Sequence, residues 1–176
     1  VHSLATHPTP PVFDGPEDRN GARNADEIRL WREYLSAGDK PWLCDDKGRC
    51  GGLAQDARFV IAGDLNNDPV DGDGQHDAIV ELLEHPRVAR YATPRSEGAV
   101  EVAAKYAQGG VTHRGSPAHA TGDFGPKAGT MRLDYVLPSV GFAVEGSGVF
   151  WPAASQPEAA IADGSDHHLV WVDLTP

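Results

Sequence analysis

Apolar residues along this chain fall in short runs divided by polar, Gly- and Pro-rich stretches, and the runs carry two different periods. Phe59-Val60-Ile61-Ala62 is continuous and runs into Gly63, Asp64 and Asn66, the pattern of a buried strand closed by turn residues. Residues 1–6 read as a strand, broken by His7-Pro8-Thr9-Pro10-Pro11. Three more strands are predicted over Arg132–Leu137, Phe142–Glu145 and Val149–Trp151, and alternation in His168–Leu174 predicts the last. Helical spacing links Ile28, Trp31 and Leu35; Asn24 and Glu27 form a capping box at the start of that helix, and Gly38 ends it. A helix over 75–84 turns Ile79, Leu82 and Leu83 inward and stops before His85-Pro86. Another over 97–107 is capped by Ser96. Residues 12–23, 66–74, 109–129 and 152–165 read as loops. His2, His76, His85 and His119 read as surface residues, and His168 as a structural residue of the last strand.

With 176 residues and no internal repeat, residues 1–176 form a single α/β domain. No apolar run approaches the ~20 residues that span a bilayer, and no signal peptide is recognisable. The start at Val1, without an initiator Met, leads us to expect a processed or truncated product. The net charge of −11 repels polyanions at long range, and no basic stripe of the kind that grips nucleic acid is present. Cys44 and Cys50 flank a turn centred on Lys47-Gly48. A disulfide there would contribute about 2 kcal/mol and imply an oxidising, extracellular setting; two free thiols in a cytosolic protein is the alternative. The pair lacks the further Cys or spaced His that a zinc site needs.

Asp64 and Asn66 sit two positions apart at a strand end, so both side chains point to one side. Such a pair suits a hard cation or a phosphate oxygen, or simply closes an Asx-type turn. Three other polar groups stand at strand ends: Thr6-His7, Arg132-Leu133-Asp134-Tyr135-Val136-Leu137 and Ser165-Asp166-His167-His168. Taken together and in this order they are far more specific than any one of them.

The four groups resemble the endonuclease/exonuclease/phosphatase superfamily, whose fold is that of DNase I. Gly63-Asp64-Leu65-Asn66 looks like its G-D-x-N, Arg132–Leu137 like its R-(I/L)-D-(Y/H)-(V/I/F)-(L/F), Ser165-Asp166-His167 like its terminal S-D-H, and Thr6-His7 like its T/S-x-His element. Gly63–Gly74, Thr112-His113-Arg114-Gly115 and Phe150-Trp151-Pro152 are similar to secreted bacterial, phytase-like members. The resemblance covers the C-terminal half of a family member. It implies one mainly antiparallel or mixed sheet with flanking helices, half of a four-layer α-β-β-α sandwich.

The function implied is a metal-dependent phosphoesterase that hydrolyses a phosphomonoester or phosphodiester with an activated water, whether as phosphatase, phosphodiesterase or nuclease. By this resemblance Asp64 orients or deprotonates the water, and Asn66 fixes it or binds phosphate. His7 contacts a phosphate oxygen, His167 stabilises the transition state or moves a proton, and Asp134 hydrogen-bonds His167. Asp166 helps hold Mg²⁺, or Mn²⁺ or Ca²⁺, while His113, Arg114 and Arg23 are candidates for substrate phosphate. A phosphorylated small molecule suits the acidic charge better than nucleic acid does. The family's N-terminal half supplies an Asn and the principal metal-binding Glu; Glu27 and Glu33 follow His7 and do not correspond to that Glu. Weak metal binding, low turnover, and a sheet face covered by self-association or by the missing half are therefore expected. A non-catalytic binding or interaction module that retains half of the fold is the alternative.

Overall fold

A computed structural model describes all residues, Val1–Pro176. Strand β1 (His2–Ala5) lies parallel to β2 (Phe59–Asp64), and β2 is antiparallel to β5 (Asp134–Pro138), giving a mixed three-stranded sheet ordered β1-β2-β5. Register puts Leu4, Ile61 and Leu137 in one row across the sheet. With Phe59 and Tyr135 they form the inner face, on which α1 (Arg19–Leu35) and α2 (His76–Leu83) lay Ile28, Leu35, Ile79 and Leu82. The opposite face carries Ser3, Ala5, Val60, Ala62 and Val136, all partly or fully exposed. Strand alternation thus sends one side chain in two into the core and leaves the other side for the site.

A smaller lobe follows. Helix α3 (Glu97–Gln108) begins where the Ser96 hydroxyl accepts a hydrogen bond from Ala99 N–H. The short ribbon of β3 (Gly122–Asp123) and β4 (Thr130–Met131) encloses α4 (Gly125–Ala128). Strands β6 (Ala143–Val149) and β7 (Val170–Thr175) pair with each other, and α5 (Ala159–Ala162) lies between them in sequence. Ala99, Ala120, Val149 and Trp151 form the core of this lobe. No helix is long and apolar enough to cross a membrane.

Several expectations require correction. The chain is mixed α/β with flanking helices, as expected; only the count of sheets differs, since β6 and β7 pair apart from β5 and the strands fall into three sheets. In place of separate strands at 142–145 and 149–151 there is one, Ala143–Val149, which ends before Phe150 and Trp151: Gly146 and Gly148 interrupt the apolar pattern because the Trp171 indole from β7 lies across them, and a Cβ on Gly148 would meet it at 2.9 Å. The helix assigned to start after Asn24 begins at Arg19. Its first turn, Arg19-Asn20-Gly21-Ala22, carries no large apolar side chain, so no apolar period marks it, and Asn24 is buried mid-helix rather than capping. The loops at 109–129 and 152–165 contain β3, α4 and α5, which are too short to leave a periodic signal.

The long segment between α1 and β2 has little regular structure, yet Arg87 binds it to the core. Its guanidinium donates to the carbonyls of Leu35, Leu53, Ala54 and Ala57 and stacks over the Phe59 ring. In the same segment Cys44 and Cys50 form a disulfide, which is consistent with an extracellular location. His85, read as a surface residue, is buried within reach of the Ser36 hydroxyl, and burial together with the Arg87 and Arg32 charges depresses its pKa.

Candidate active site

The register that builds the sheet also builds the site. Asp64 on β2 stands directly opposite Asp134 on β5, both on the face away from the helices. Like charges paired across two strands destabilise a sheet unless something compensates them. Compensation comes from two imidazoles. His7, just past β1, places Nε2 3.5 Å from Asp64 Oδ2. His167, just before β7, donates from Nδ1 to Asp134 Oδ2 at 2.9 Å and turns Nε2 toward Asp64 Oδ2 at 3.9 Å.

Each side chain is fixed locally. Gly63 has φ near +147°, and a Cβ there would collide with the Thr6 carbonyl oxygen, so only Gly lets the end of β1 approach β2 closely enough to bring His7 to Asp64. Asp64 Oδ1 accepts the Asn66 backbone N–H at 2.8 Å, an Asx turn, while Oδ2 stays free to face the two histidines. The Asx turn therefore leaves Asp64 Oδ2 clear of the backbone. Asn66 is buried with φ near +50°, and its Nδ2 donates to the Pro8 carbonyl at 3.0 Å.

Asp134 rests on a residue the sequence did not single out. Buried Thr121 accepts the N–H groups of Leu133 and Asp134 on its hydroxyl oxygen, both at 2.9 Å. With the oxygen's acceptor capacity so used, its proton goes to Asp134 Oδ2 at 2.7 Å. Asp134 in turn holds the His167 proton on Nδ1 and leaves Nε2 toward Asp64. The Phe124 ring packs edge-on against His167, with centroids 5.6 Å apart. No local motif announces Thr121, because its partners lie more than ten residues along the chain.

Burial raises the Asp64 pKa, the Asn66 N–H opposes this, the Asp134 charge adds to it, and His167 and His7 pull it down; the net direction is up. Burial pushes His167 down, but the hydrogen bond to Asp134 and the charges of Asp134, Asp64 and Asp166 outweigh it and lift its pKa. One ligand atom from each of Asp64, Asp134 and His167 lies within 4.8 Å of the others, so this trio could hold a metal ion.

The remaining expected site residues lie elsewhere. Asp166 is exposed and outside the trio, and its backbone carbonyl accepts from Asp123 N–H. His113 and Arg114 gather on Asp71, which accepts the Arg114 and Gly115 N–H groups at 2.9 and 2.7 Å. Arg23 is exposed on the outside of α1. His168 is buried and stacks on Trp151, with rings 3.7 Å apart.

A family model described as "Endonuclease/Exonuclease/phosphatase family" matches residues 2–167. None of the curated proteins matches the chain. The crystal structure of an endonuclease/exonuclease/phosphatase from Beutenbergia cavernae DSM 12333 is similar to it, at 19% identity and a TM-score of 0.47. The similarity covers 88% of this chain, and the chain spans 31% of that structure's length.

Proposed function

The chain belongs to the endonuclease/exonuclease/phosphatase family, one of phosphoesterase- and nuclease-type hydrolases, and on that premise we propose that Asp64, Asp134, His167 and His7 serve the hydrolysis of a phosphate ester by water. The observation that carries the proposal is the directly opposed Asp64–Asp134 pair with His167 bridging it. Two cross-strand carboxylates cost stability, and their retention with an imidazole between them suits a site for charge and proton transfer.

Asp64 Oδ2 is the free carboxylate oxygen and accepts the proton of the attacking water. His167, oriented through Nδ1 by Asp134 and Thr121, presents Nε2 to the developing negative charge on phosphorus oxygens. His7, exposed beside Asp64, binds a phosphate oxygen, and Asn66 holds the loop that carries Asp64 while its second amide N–H remains for substrate. His113, Arg114 and Arg23 are left for more distant parts of the substrate.

A divalent ion fits the donor set, since Asp64 and Asp134 offer hard oxygens and a nearby cation would relieve their repulsion. Mg²⁺ is the ion we favour; the carboxylates of Asp64 and Asp134 would hold it, and when bound it would neutralise charge on the phosphoryl group. The acidic net charge favours a small phosphorylated substrate, and the disulfide favours a secreted protein.

The test is hydrolysis of p-nitrophenyl phosphate, bis(p-nitrophenyl) phosphate and plasmid DNA with Mg²⁺, Mn²⁺ or Ca²⁺. We expect slow ester hydrolysis, as the low turnover expected of this chain requires, that stops with chelator and in Asp64→Ala. Turnover that survives both treatments would overturn the reading.

A further inference from the structure

Helix α1 presents Asn24, Glu27 and Trp31 along one face, at spacings of three and four. All three reach the segment that carries His7. Trp31 Nε1 donates to Thr6 Oγ1 at 2.8 Å, Glu27 accepts the Thr9 N–H at 2.6 Å, and Asn24 Nδ2 donates to the Thr9 carbonyl at 2.9 Å. Glu27 and Trp31 stop there, whereas Asn24 continues to the second loop. The same Nδ2 donates to the Leu65 carbonyl at 3.0 Å and approaches the Asn66 carbonyl at 3.4 Å. Its Oδ1 accepts Asn67 Nδ2 at 2.9 Å, and Asn67 also donates to the Gln75 carbonyl. Asn24 is fully buried, and so is Asn67 but for 1%.

A carboxamide buried mid-helix has a desolvation cost that only good partners offset. Here every partner belongs to a loop that presents a site residue, and none lies on the helix itself. Asn66 holds a left-handed backbone that a branched or bulky residue would resist, and Asn24 grips the carbonyls on either side of that turn.

We propose that Asn24 is a positioning residue: one buried amide, held by α1, sets the His7 loop and the Asp64–Asn66 loop in place relative to each other. This rests on the hydrolytic reading of the site, so the experiment has an arm that needs no activity. In that arm, hydrogen–deuterium exchange compares the protein with Asn24→Ala. We expect residues 6–10 and 64–68 to exchange faster together, while the β2–β5 ladder and the second half of α1 stay protected. Faster exchange in one loop alone, or uniformly through the domain, overturns the proposal whatever the protein hydrolyses. Asn24→Ser, whose hydroxyl can keep one of the bonds, serves as the second variant if Asn24→Ala does not fold.

The second arm is a pair of double-mutant cycles on the rate of ester hydrolysis. Asn24→Ala lowers kcat/KM by about 10–100-fold, as loss of an outer positioning contact does. In the His7→Ala background, or in Asn66→Gly, which tolerates the left-handed backbone but lacks the side chain, the same change costs less than about 3-fold. Equal losses in all backgrounds would show a general effect on the fold and overturn the positioning role. Failure of hydrolysis in the unmodified protein would bear on the reaction assigned to the site, and the exchange arm would then decide the role of Asn24.

Discussion

Replacing Thr121 with Val tests whether one buried hydroxyl anchors the Asp134–His167 pair. The two side chains have nearly the same shape, so packing is preserved while three hydrogen bonds disappear. The donated bond ends on a carboxylate, at 2.7 Å. The two accepted bonds leave the Leu133 and Asp134 N–H groups without a partner beside a buried residue. A bond to a charged group contributes about 1.5–3 kcal/mol, and each stranded donor costs about 1–3 kcal/mol, with overlap between them. Together these give a loss of roughly 3–5 kcal/mol, or a fall in Tm on the order of 10 °C for a chain of this size. Thr121→Ser keeps the hydroxyl and loses one methyl, at a cost of about 1 kcal/mol. Urea unfolding of the three proteins provides the comparison, with ester hydrolysis read in parallel. If the Val and Ser variants unfold within about 0.5 kcal/mol of each other, the hydroxyl is not the anchor.

Two further outcomes follow from the structure. Because the folded pKa of His167 is raised, the stability it adds is fully present below its unfolded value of about 6.5 and is lost as pH rises through the folded value. In metal-free buffer, then, the stability difference between the protein and His167→Gln should shrink as pH climbs above about 6.5; a difference that grows with pH would contradict the raised pKa. Opening the Cys44–Cys50 bridge in the Cys44→Ser, Cys50→Ser double variant should cost about 2 kcal/mol, because the loop it closes is short; a loss above about 4 kcal/mol would mean that the bridge supports the core.

Much of this molecule was legible from short-range pattern. Strand β2, helices α2 and α3 and the Ser96 cap were marked by apolar period and by turn residues, which act over a few positions. The contact expected between Asp134 and His167 is present at 2.9 Å. What sequence could not give are features whose cause lies far along the chain. Asn24 and Glu27 match a helix cap in spacing, but their partners are Thr9 and Leu65, so tertiary contacts move them inside the helix. Gly146 and Gly148 look like a strand break until Trp171 covers them from β7. Thr121 carries no motif at all, and His113 and Arg114, polar and in a loop, are drawn to Asp71 rather than to the opposed carboxylates.

The register of the central sheet has a kinetic consequence. β1 meets β2 across a crossover that joins His2 to Phe59, and β2 meets β5 across one that joins Asp64 to Asp134. His7 and His167, which both face Asp64, stand near opposite ends of the chain. Contacts this distant in sequence must close large loops before they return any stabilisation, which slows folding. No local hairpin or helix pair contains the site, so no early-forming unit can carry it. The carboxylate–imidazole cluster needs the pairing of β1 with β2 and of β2 with β5, so in a refolding experiment its chemistry should recover no earlier than either pairing.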